Sequence, residues 1–318
     1  MTYNNYLYLP KVTKSLLVIK QNEMKKTLIT GATGSLGQLL VSALKSKADA
    51  SNIAVLVRDT AKDIVKDYES QGLDIRVSDY ENTDKLKVAF EGIEQVFLIS
   101  GSDLDARLQQ HKNVIEAAIA ANVKHIFYTS SVRKTESKDA PLDAVISGHA
   151  QTEKAILNSG LDYTILRHNL YSEVVPMFIG DKEQLLKTKA IYLPTENGKV
   201  AFIPRKDFAE AEANIIVSPE DYRNKIYEFN GSTLFSFEEI SEILTDILGE
   251  KIAYVSPKVD EFESQMKTAG LPDPIVGMLS MFSQGIANGE FNFEKTDIEK
   301  VLGRKSQSLK DFLGQVYA

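Results

Sequence analysis

A glycine-spaced turn between an apolar run and an amphipathic one constrains this chain more than any other feature. Thr27-Leu28-Ile29-Thr30 leads into Gly31-Ala32-Thr33-Gly34-Ser35-Leu36-Gly37, and Gln38-Leu39-Leu40-Val41-Ser42-Ala43-Leu44 follows. The pattern reads as strand, tight turn and helix. Glycines at three-residue intervals let the backbone turn sharply, admit a pyrophosphate to the helix N-terminus, and let the helix pack closely on the strand. The unpaired N–H groups of the first helical turn and the positive end of the helix dipole suit negative charge. Ordinary βα turns can carry the same glycines; the flanking strand and helix give the pattern its weight.

The segments around this turn alternate in the same way. Short β-rich runs fall at 26–30, 53–57, 74–77, 95–99, 125–129 and 163–166, with helical patterns at 36–47, 61–71, 84–90, 104–121 and 148–159 between them. The strands read as continuous apolar runs, as expected where helices cover both faces of a parallel sheet. Asn122 and Gly160 stand where helices should stop. This predicts an α/β chain with a Rossmann-type doubly wound parallel sheet over residues 24–167. A smaller C-terminal substrate-binding portion, residues 168–318, is expected to pack on the same body, since no flexible linker separates them. That portion carries a β-like stretch at 199–203, an aspartate-capped helix at Asp207, a strand at 227–229, and helices near 236–248, 259–269, 274–288 and 308–316. Residues 1–23, upstream of Met24-Lys25-Lys26, read as a disordered N-terminal extension.

Composition narrows the function classes. The 318 residues contain no cysteine, which excludes disulfides, thiolate nucleophiles and zinc–thiolate or iron–sulfur centres built from this chain. The four histidines show no metal-ligand spacing, so no metal is expected. A net charge of -7 offers no basic footprint for nucleic acid. No apolar run reaches the roughly 20 residues of a membrane span. A cytoplasmic protein is expected, with a homodimer admissible.

The end of the second strand selects the cofactor. An acidic residue there binds a ribose 2′-hydroxyl, whereas arginine accommodates a 2′-phosphate. The sequence reads Val57-Arg58-Asp59. Arg58 suits a phosphate clamp because its planar fork matches phosphate geometry. NADP (as NADPH) is therefore favoured, and Asp59 keeps NAD open. Asp79, after the third strand, stands where the adenine edge would lie, or serves as a turn residue. Ser100, Gly101 and Ser102 after the fourth strand, and Thr129-Ser130-Ser131 after the fifth, offer small residues beside the nicotinamide–ribose half.

Taken in order, the motifs resemble a known group. Ile29 to Gly37, Val57-Arg58-Asp59, Leu98-Ile99-Ser100, Gln110-His111-Lys112-Asn113-Val114-Ile115, Tyr128-Thr129-Ser130 and Thr152-Glu153-Lys154 open the series. Tyr163-Thr164-Ile165-Leu166-Arg167, Tyr171-Ser172-Glu173 and Gly270-Leu271-Pro272-Asp273 continue it. The chain resembles the NmrA-like atypical short-chain dehydrogenase/reductases, and within them the type 2 NAD(P)H:quinone oxidoreductases, from about Met24 onward. The resemblance implies hydride transfer from NADPH to a small-molecule quinone. It implies that Gly31 to Leu36 cradle the pyrophosphate and that Arg58 holds the 2′-phosphate. Ser100 to Asp103, together with Asn169, Leu170, Tyr171, Ser172 and Glu173, would border the nicotinamide. His168-Asn169-Leu170 departs from the family pattern, which has smaller or more aromatic residues there.

Ordinary short-chain dehydrogenases pair a proton-donating tyrosine with a lysine four residues later. Here Ala150 precedes Lys154 by four, so that donor is missing. Lys154 remains a candidate for ribose binding, and His149, with an ordinary pKa near 6.5, a candidate acid. Quinone reduction asks less of the protein: hydride addition gives an aromatic hydroquinone anion that water can protonate, so positioning dominates. Tyr171, Val174, Val175, Met177 and Phe178 are candidates for an apolar pocket wall. A redox-sensing regulator that binds the dinucleotide without turnover is the alternative, and an enone or imine reductase a third reading.

Overall fold

The computed structural model describes residues 24–318, so the expected N-terminal extension lies outside the described residues. The central sheet has seven parallel strands. They are β1 (Thr27–Ile29), β2 (Ile53–Val57), β3 (Asp74–Val77), β4 (Gln95–Leu98), β5 (His125–Ser131), β6 (Asp162–His168) and β9 (Lys225–Phe229), in spatial order β3-β2-β1-β4-β5-β6-β9. Alternate residues along each strand face opposite layers, which is why the central strands β2 and β4 are buried along their whole length, whereas the edge strands β3 and β9 are partly exposed.

On one face Ile29, Val55, Phe97, Leu166 and Phe229 pack against α1 (Ser35–Lys45), α2 (Asp63–Ser70), α8 (Arg205–Val217) and α12 (Ile298–Leu302). On the other, Leu28, Ala54, Val96, Tyr128 and Ile165 meet α3 (Thr83–Ala89), α4 (Arg107–Ala120) and α5 (Asp143–Leu157). The chain ends α4 with Asn122 at φ 57° and leaves α5 through Gly160 at φ 77°, both left-handed.

The strand order reverses between β1 and β4. In an open α/β sheet the crevice beyond the strand ends at this switch point is where ligands bind.

Residues 168–318 do not form a separate body beside the sheet. β9 pairs in register with β6, from Thr164 opposite Lys225 to His168 opposite Phe229, and α8 and α12 cover the sheet. The boundary drawn at residue 167 therefore does not divide the nucleotide-binding layers from the rest. The remaining elements build their own core. They are α6 (Val175–Ile179), α7 (Lys182–Thr188), β7 (Ala190–Tyr192), β8 (Lys199–Val200), β10 (Phe235–Ser236), α9 (Phe237–Leu248), β11 (Ala253–Val255), α10 (Val259–Thr268), α11 (Asp273–Ala287) and α13 (Leu309–Tyr317). Phe202, Phe237, Phe262, Phe291 and Tyr317 fill it. Two small sheets tie it together, β10 with β8 and β11 with β7.

One local expectation fails. Asp207 does not cap a helix: α8 starts at Arg205 with Pro204 as its N-cap. Asp207 is instead buried in the first turn, where it accepts from Arg304 at 2.7 Å and from the Gln307 amide at 2.6 Å. A carboxylate satisfied by a guanidinium and an amide has no need of the helix end.

Candidate active site

The glycine turn folds as its spacing demands. Gly31 takes φ 61°, and a Cβ there would stand 3.2 Å from Ile99 Cβ, so β1 and the end of β4 meet back to back. A Cβ on Gly37 would fall 2.3 Å from the Gly31 carbonyl oxygen. Only glycine lets α1 sit this close to the strand it follows. Gly34 is the N-cap of α1 and offers no side-chain cap, which leaves the first N–H groups of an 11-residue helix unpaired by any side chain. Gly31, Gly34 and Ser35 are exposed at the mouth of the turn, whereas Ala32, Leu36 and Gly37 pack inward and Thr33 lies between. Gln38 ties down the Thr33 carbonyl at 2.9 Å and Tyr68 the Ala32 carbonyl at 2.8 Å. The result is a fixed, open cradle of backbone donors with no side chain in it, and a pyrophosphate fits such a cradle.

Arg58 and Asp59 stand exposed just past β2. The Asp59 carboxylate accepts from the Ala61 amide at 2.8 Å, so it is engaged by its own turn. Asp79 accepts from the Asn82 and Glu81 amides at 2.7 and 3.0 Å, and these bonds hold its pKa below the ordinary carboxylate value. The structure thus gives Asp79 the turn role. Arg58 is near enough to lower the Asp79 pKa further, and burial raises the Tyr80 phenol to about 12. Arg58 past β2, and Asp79 and Tyr80 past β3, thus follow the carboxyl ends of the two strands that lie next to β1 on one side of the sheet.

The loop after β4 is built from both sides. Thr30 Oγ1 accepts the Ile99 amide at 3.0 Å, and Thr129 Oγ1 the Ser100 amide at 2.9 Å. Beneath it lie His111 and Arg107 from α4, both buried. The Gly101 amide donates to His111 Nε2 at 3.1 Å, and Arg107 Nε donates to the Gly101 carbonyl at 2.8 Å. Asp103 accepts the Asp105 and Ala106 amides at 3.1 and 3.0 Å, forming the turn into α4. Ser102 is exposed.

The two candidate catalytic residues of α5 separate. Lys154 lies on the solvent side, 69% exposed, with Glu136 at 3.8 Å. His149 is buried against β5, with Nδ1 2.8 Å from the Tyr128 hydroxyl. Burial, reinforced by Arg107, pushes its pKa well below the ordinary histidine value. A neutral ring locked to Tyr128 at neutral pH is a poor source of protons. The residue four beyond His149 on the same buried face is Glu153. It accepts from Arg133 at 2.7 and 2.8 Å, from Arg167 at 2.8 and 3.1 Å, and from Ser130 at 2.6 Å. Burial alone would raise its pKa, but these bonds outweigh it and hold the carboxylate at about 2. Glu153 clamps the ends of β5 and β6 together.

In the segment after β6, two side chains are already committed. Asn169 donates to Asn230 Oδ1 at 2.8 Å and to the Phe291 carbonyl at 3.0 Å, and accepts the Leu170 amide. Glu173 accepts the Arg205 amide at 3.0 Å, and the Arg205 guanidinium lies over the Tyr171 ring at 4.5 Å. Ser172 is fully buried. Leu170 packs into the C-terminal core, and Tyr171 is half-buried with its hydroxyl 3.2 Å from His168 Nδ1. Behind it His168 Nε2 stands 3.1 Å from Glu212 Oε1, without the alignment of a hydrogen bond. Burial lowers the histidine to about 3 and raises the carboxyl, so it disfavours charge on both partners. Of the candidate wall, Val175 is core, Met177 is 61% exposed, and Val174 and Phe178 are half-buried, with Phe178 against Phe237 and Phe282.

Comparison with known proteins places this geometry. The model of the NmrA-like family matches residues 23–315. The chain belongs to the NmrA-like family. Quinone oxidoreductase 2 of Escherichia coli is 32% identical over 289 residues, covering 91% of this chain and 98% of that protein. The crystal structure of the E. coli NADPH-dependent quinone oxidoreductase complexed with NADPH superposes with a TM-score of 0.84, covering 92% of this chain and all of that one. A Citrobacter triphenylmethane reductase complexed with NADP(H) has a TM-score of 0.82 at 29% identity, covering 92% of this chain and 99% of that one.

Within this NmrA-like chain the residues that sequence reasoning passed over are Arg107, His111, Arg133, Glu153 and Glu212. His111 and Glu153 sit inside quoted motifs, but their partners lie 10 to 41 residues away in sequence, where spacing alone cannot point to them.

Proposed function

We propose that this chain is an NADPH-dependent oxidoreductase that reduces a small-molecule quinone. The observation that carries the reading is the side-chain-free cradle of Gly31, Gly34 and Ser35 at the β1/β4 switch point, with Arg58 past the end of the adjacent strand β2. The likeness to a quinone oxidoreductase over nine-tenths of the chain supports the reaction class.

NADPH, when bound, supplies a hydride. The unpaired N–H groups at the start of α1 would hold its diphosphate, and Arg58 its 2′-phosphate. The loop 100–103 would border the nicotinamide half, made rigid by Thr129, His111 and Arg107. Leu170, Val174 and Phe178 supply apolar surface beyond β6. Neither His149 nor Lys154 is placed as a proton donor, and a quinone needs none: its reduced oxygen takes a proton from water. Positioning and partial exclusion of water are what the protein contributes. The cysteine-free composition fits a cytoplasmic location and the net charge of -7 fits a small-molecule partner rather than nucleic acid. Among the described residues no helix is long and apolar enough to cross a membrane.

The test is NADPH oxidation at 340 nm with and without 1,4-benzoquinone. Quinone-dependent oxidation, much faster with NADPH than NADH, is expected. Tight NADPH binding with no turnover on any quinone would overturn the enzyme in favour of a dinucleotide-sensing protein.

A further inference from the structure

Beneath the loop after β4 runs a chain of buried polar groups that the reading above uses only as support. Its direction can be read from chemistry. The Gly101 amide can only donate, so His111 Nε2, 3.1 Å away, is the unprotonated nitrogen and Nδ1 carries the proton. Nδ1–H then donates to Thr152 Oγ1 at 3.0 Å, and the threonine hydroxyl donates onward to the Gly148 carbonyl at 2.8 Å. Two bonds thus connect the loop, through His111 of α4, to Thr152 of α5, and the third anchors that hydroxyl within α5. Arg107 completes a second connection: its Nε holds the Gly101 carbonyl and its guanidinium reaches the Val145 carbonyl at 3.2 Å.

Both peptide planes flanking Gly101 are therefore fixed from below by side chains, the preceding one by His111 and the following one by Arg107. Glycine has the greatest backbone freedom of any residue, so a loop turning on Gly101 would otherwise be the softest part of the crevice. The peptide is planar and trans, so turning the Gly101 N–H down toward His111 turns the Ser100 carbonyl the opposite way, off α4. Filling this space needs no imidazole; any apolar side chain of similar size would pack. The polar pairing is what sets the loop's conformation.

We propose that His111 is a positioning residue that fixes the Ser100–Gly101 peptide so that the Ser100 carbonyl faces the crevice as an acceptor for the nicotinamide–ribose half of the dinucleotide. This rests on the reading of the site as an NADPH-dependent oxidoreductase. His111 touches neither cofactor nor substrate and acts through the loop.

The test compares wild type with His111→Leu, His111→Gln and Thr152→Val by direct binding of two probes. NADPH spans both halves of the site, whereas 2′,5′-ADP reaches only the glycine turn and Arg58. His111→Leu is expected to weaken NADPH about tenfold while leaving 2′,5′-ADP within about twofold, since one buried pairing is lost on one half only. kcat with a benzoquinone should fall by about tenfold or more, with a larger primary isotope effect from deuterated NADPH, because misplacement burdens the hydride step. His111→Gln can accept and donate through one amide and should recover most of both losses. Thr152→Val, nearly isosteric, leaves Nδ1–H unpaired and should move the same readouts in the same direction if the leucine variant does not fold. Equal weakening of both probes, or no weakening of NADPH in either variant, overturns the proposal. Wild type that binds NADPH yet reduces no quinone overturns the function while the two-probe comparison still decides on His111; wild type that binds neither probe overturns both.

Discussion

Arg58 reports whether the site beside the glycine turn reads a phosphate. It is exposed past β2, while the carboxylate of Asp59, the adjacent residue able to hold a ribose hydroxyl, accepts the Ala61 amide. Arg58→Ala is expected to cost NADPH binding about 1.5–3 kcal/mol, the range for a hydrogen bond to a charged group, and NADH binding far less. Calorimetric titration of both nucleotides checks it, and equal losses would remove Arg58 from the 2′-phosphate. Gly34→Val tests the neighbouring cradle. Its Cβ would stand 3.2 Å from the Gly31 carbonyl oxygen, and its branches would occupy the space above the helix N-terminus. Affinity for 2′,5′-ADP should collapse; unchanged affinity would move the phosphate site elsewhere.

Elements differ in how much of their position their own residues dictate. α9 begins with a complete capping box, in which Ser236 accepts the Glu239 amide at 3.1 Å and Glu239 accepts the Ser236 amide at 2.7 Å, and it ends at Gly249 with φ 68°. Ser236→Ala should lower stability by about 1 kcal/mol, measured by urea unfolding, with cofactor affinity unchanged. Signals of that local kind made most of the fold legible. Ile53–Val57 and Asp74–Val77 occur where the apolar runs put them, and α9, α10 and α11 begin and end within a residue of their patterns. α7 and its neighbours β7 and β11 were not legible. They are short, and parallel pairing of Ala190–Tyr192 with Ala253–Val255 joins segments some sixty residues apart. β9 was visible as a strand, but nothing local says that it joins the main sheet beside β6. The site divides along the same line. The glycine turn is contiguous, so sequence exposes it whole; the shell of Arg107, His111, Thr152 and Glu153 is assembled by the fold, and His149 looked like a candidate acid because its burial was not visible.

At the scale of the whole molecule, the histidines couple stability to pH. The chain has four, and all are buried: His111, His125, His149 and His168. Burial is the leading cause that lowers each, to about 3 for His111 and His168, about 4 for His125, and well below the ordinary value for His149. Unfolding exposes them to water, where they titrate near 6.5. Their folded pKa values lie below the unfolded one, so the stability they contribute is complete above pH 6.5 and is lost as pH falls toward 4. Each contributes a slope of about 1.4 kcal/mol per pH unit in that window, and together at most about 5.5. Glu153, held at about 2, acts in the same sense at lower pH. Glu212 opposes them: its raised pKa means that stability is lost as pH climbs above the ordinary carboxyl value, so the unpaired acid beside His168 bounds the stable range from the alkaline side. Against a net stability of about 5–15 kcal/mol, four such groups, less the opposing contribution of Glu212, make stability fall steeply on acidification below pH 6.5. Urea unfolding at constant ionic strength should show the midpoint falling steeply from pH 6.5 to 5. His125→Gln, which keeps a partner for the Thr164 hydroxyl now 2.8 Å from Nε2, should reduce that slope by about one proton. A flat profile over this range would mean that the histidines take up protons in the folded state, and the buried polar shell under the crevice would then be open to water.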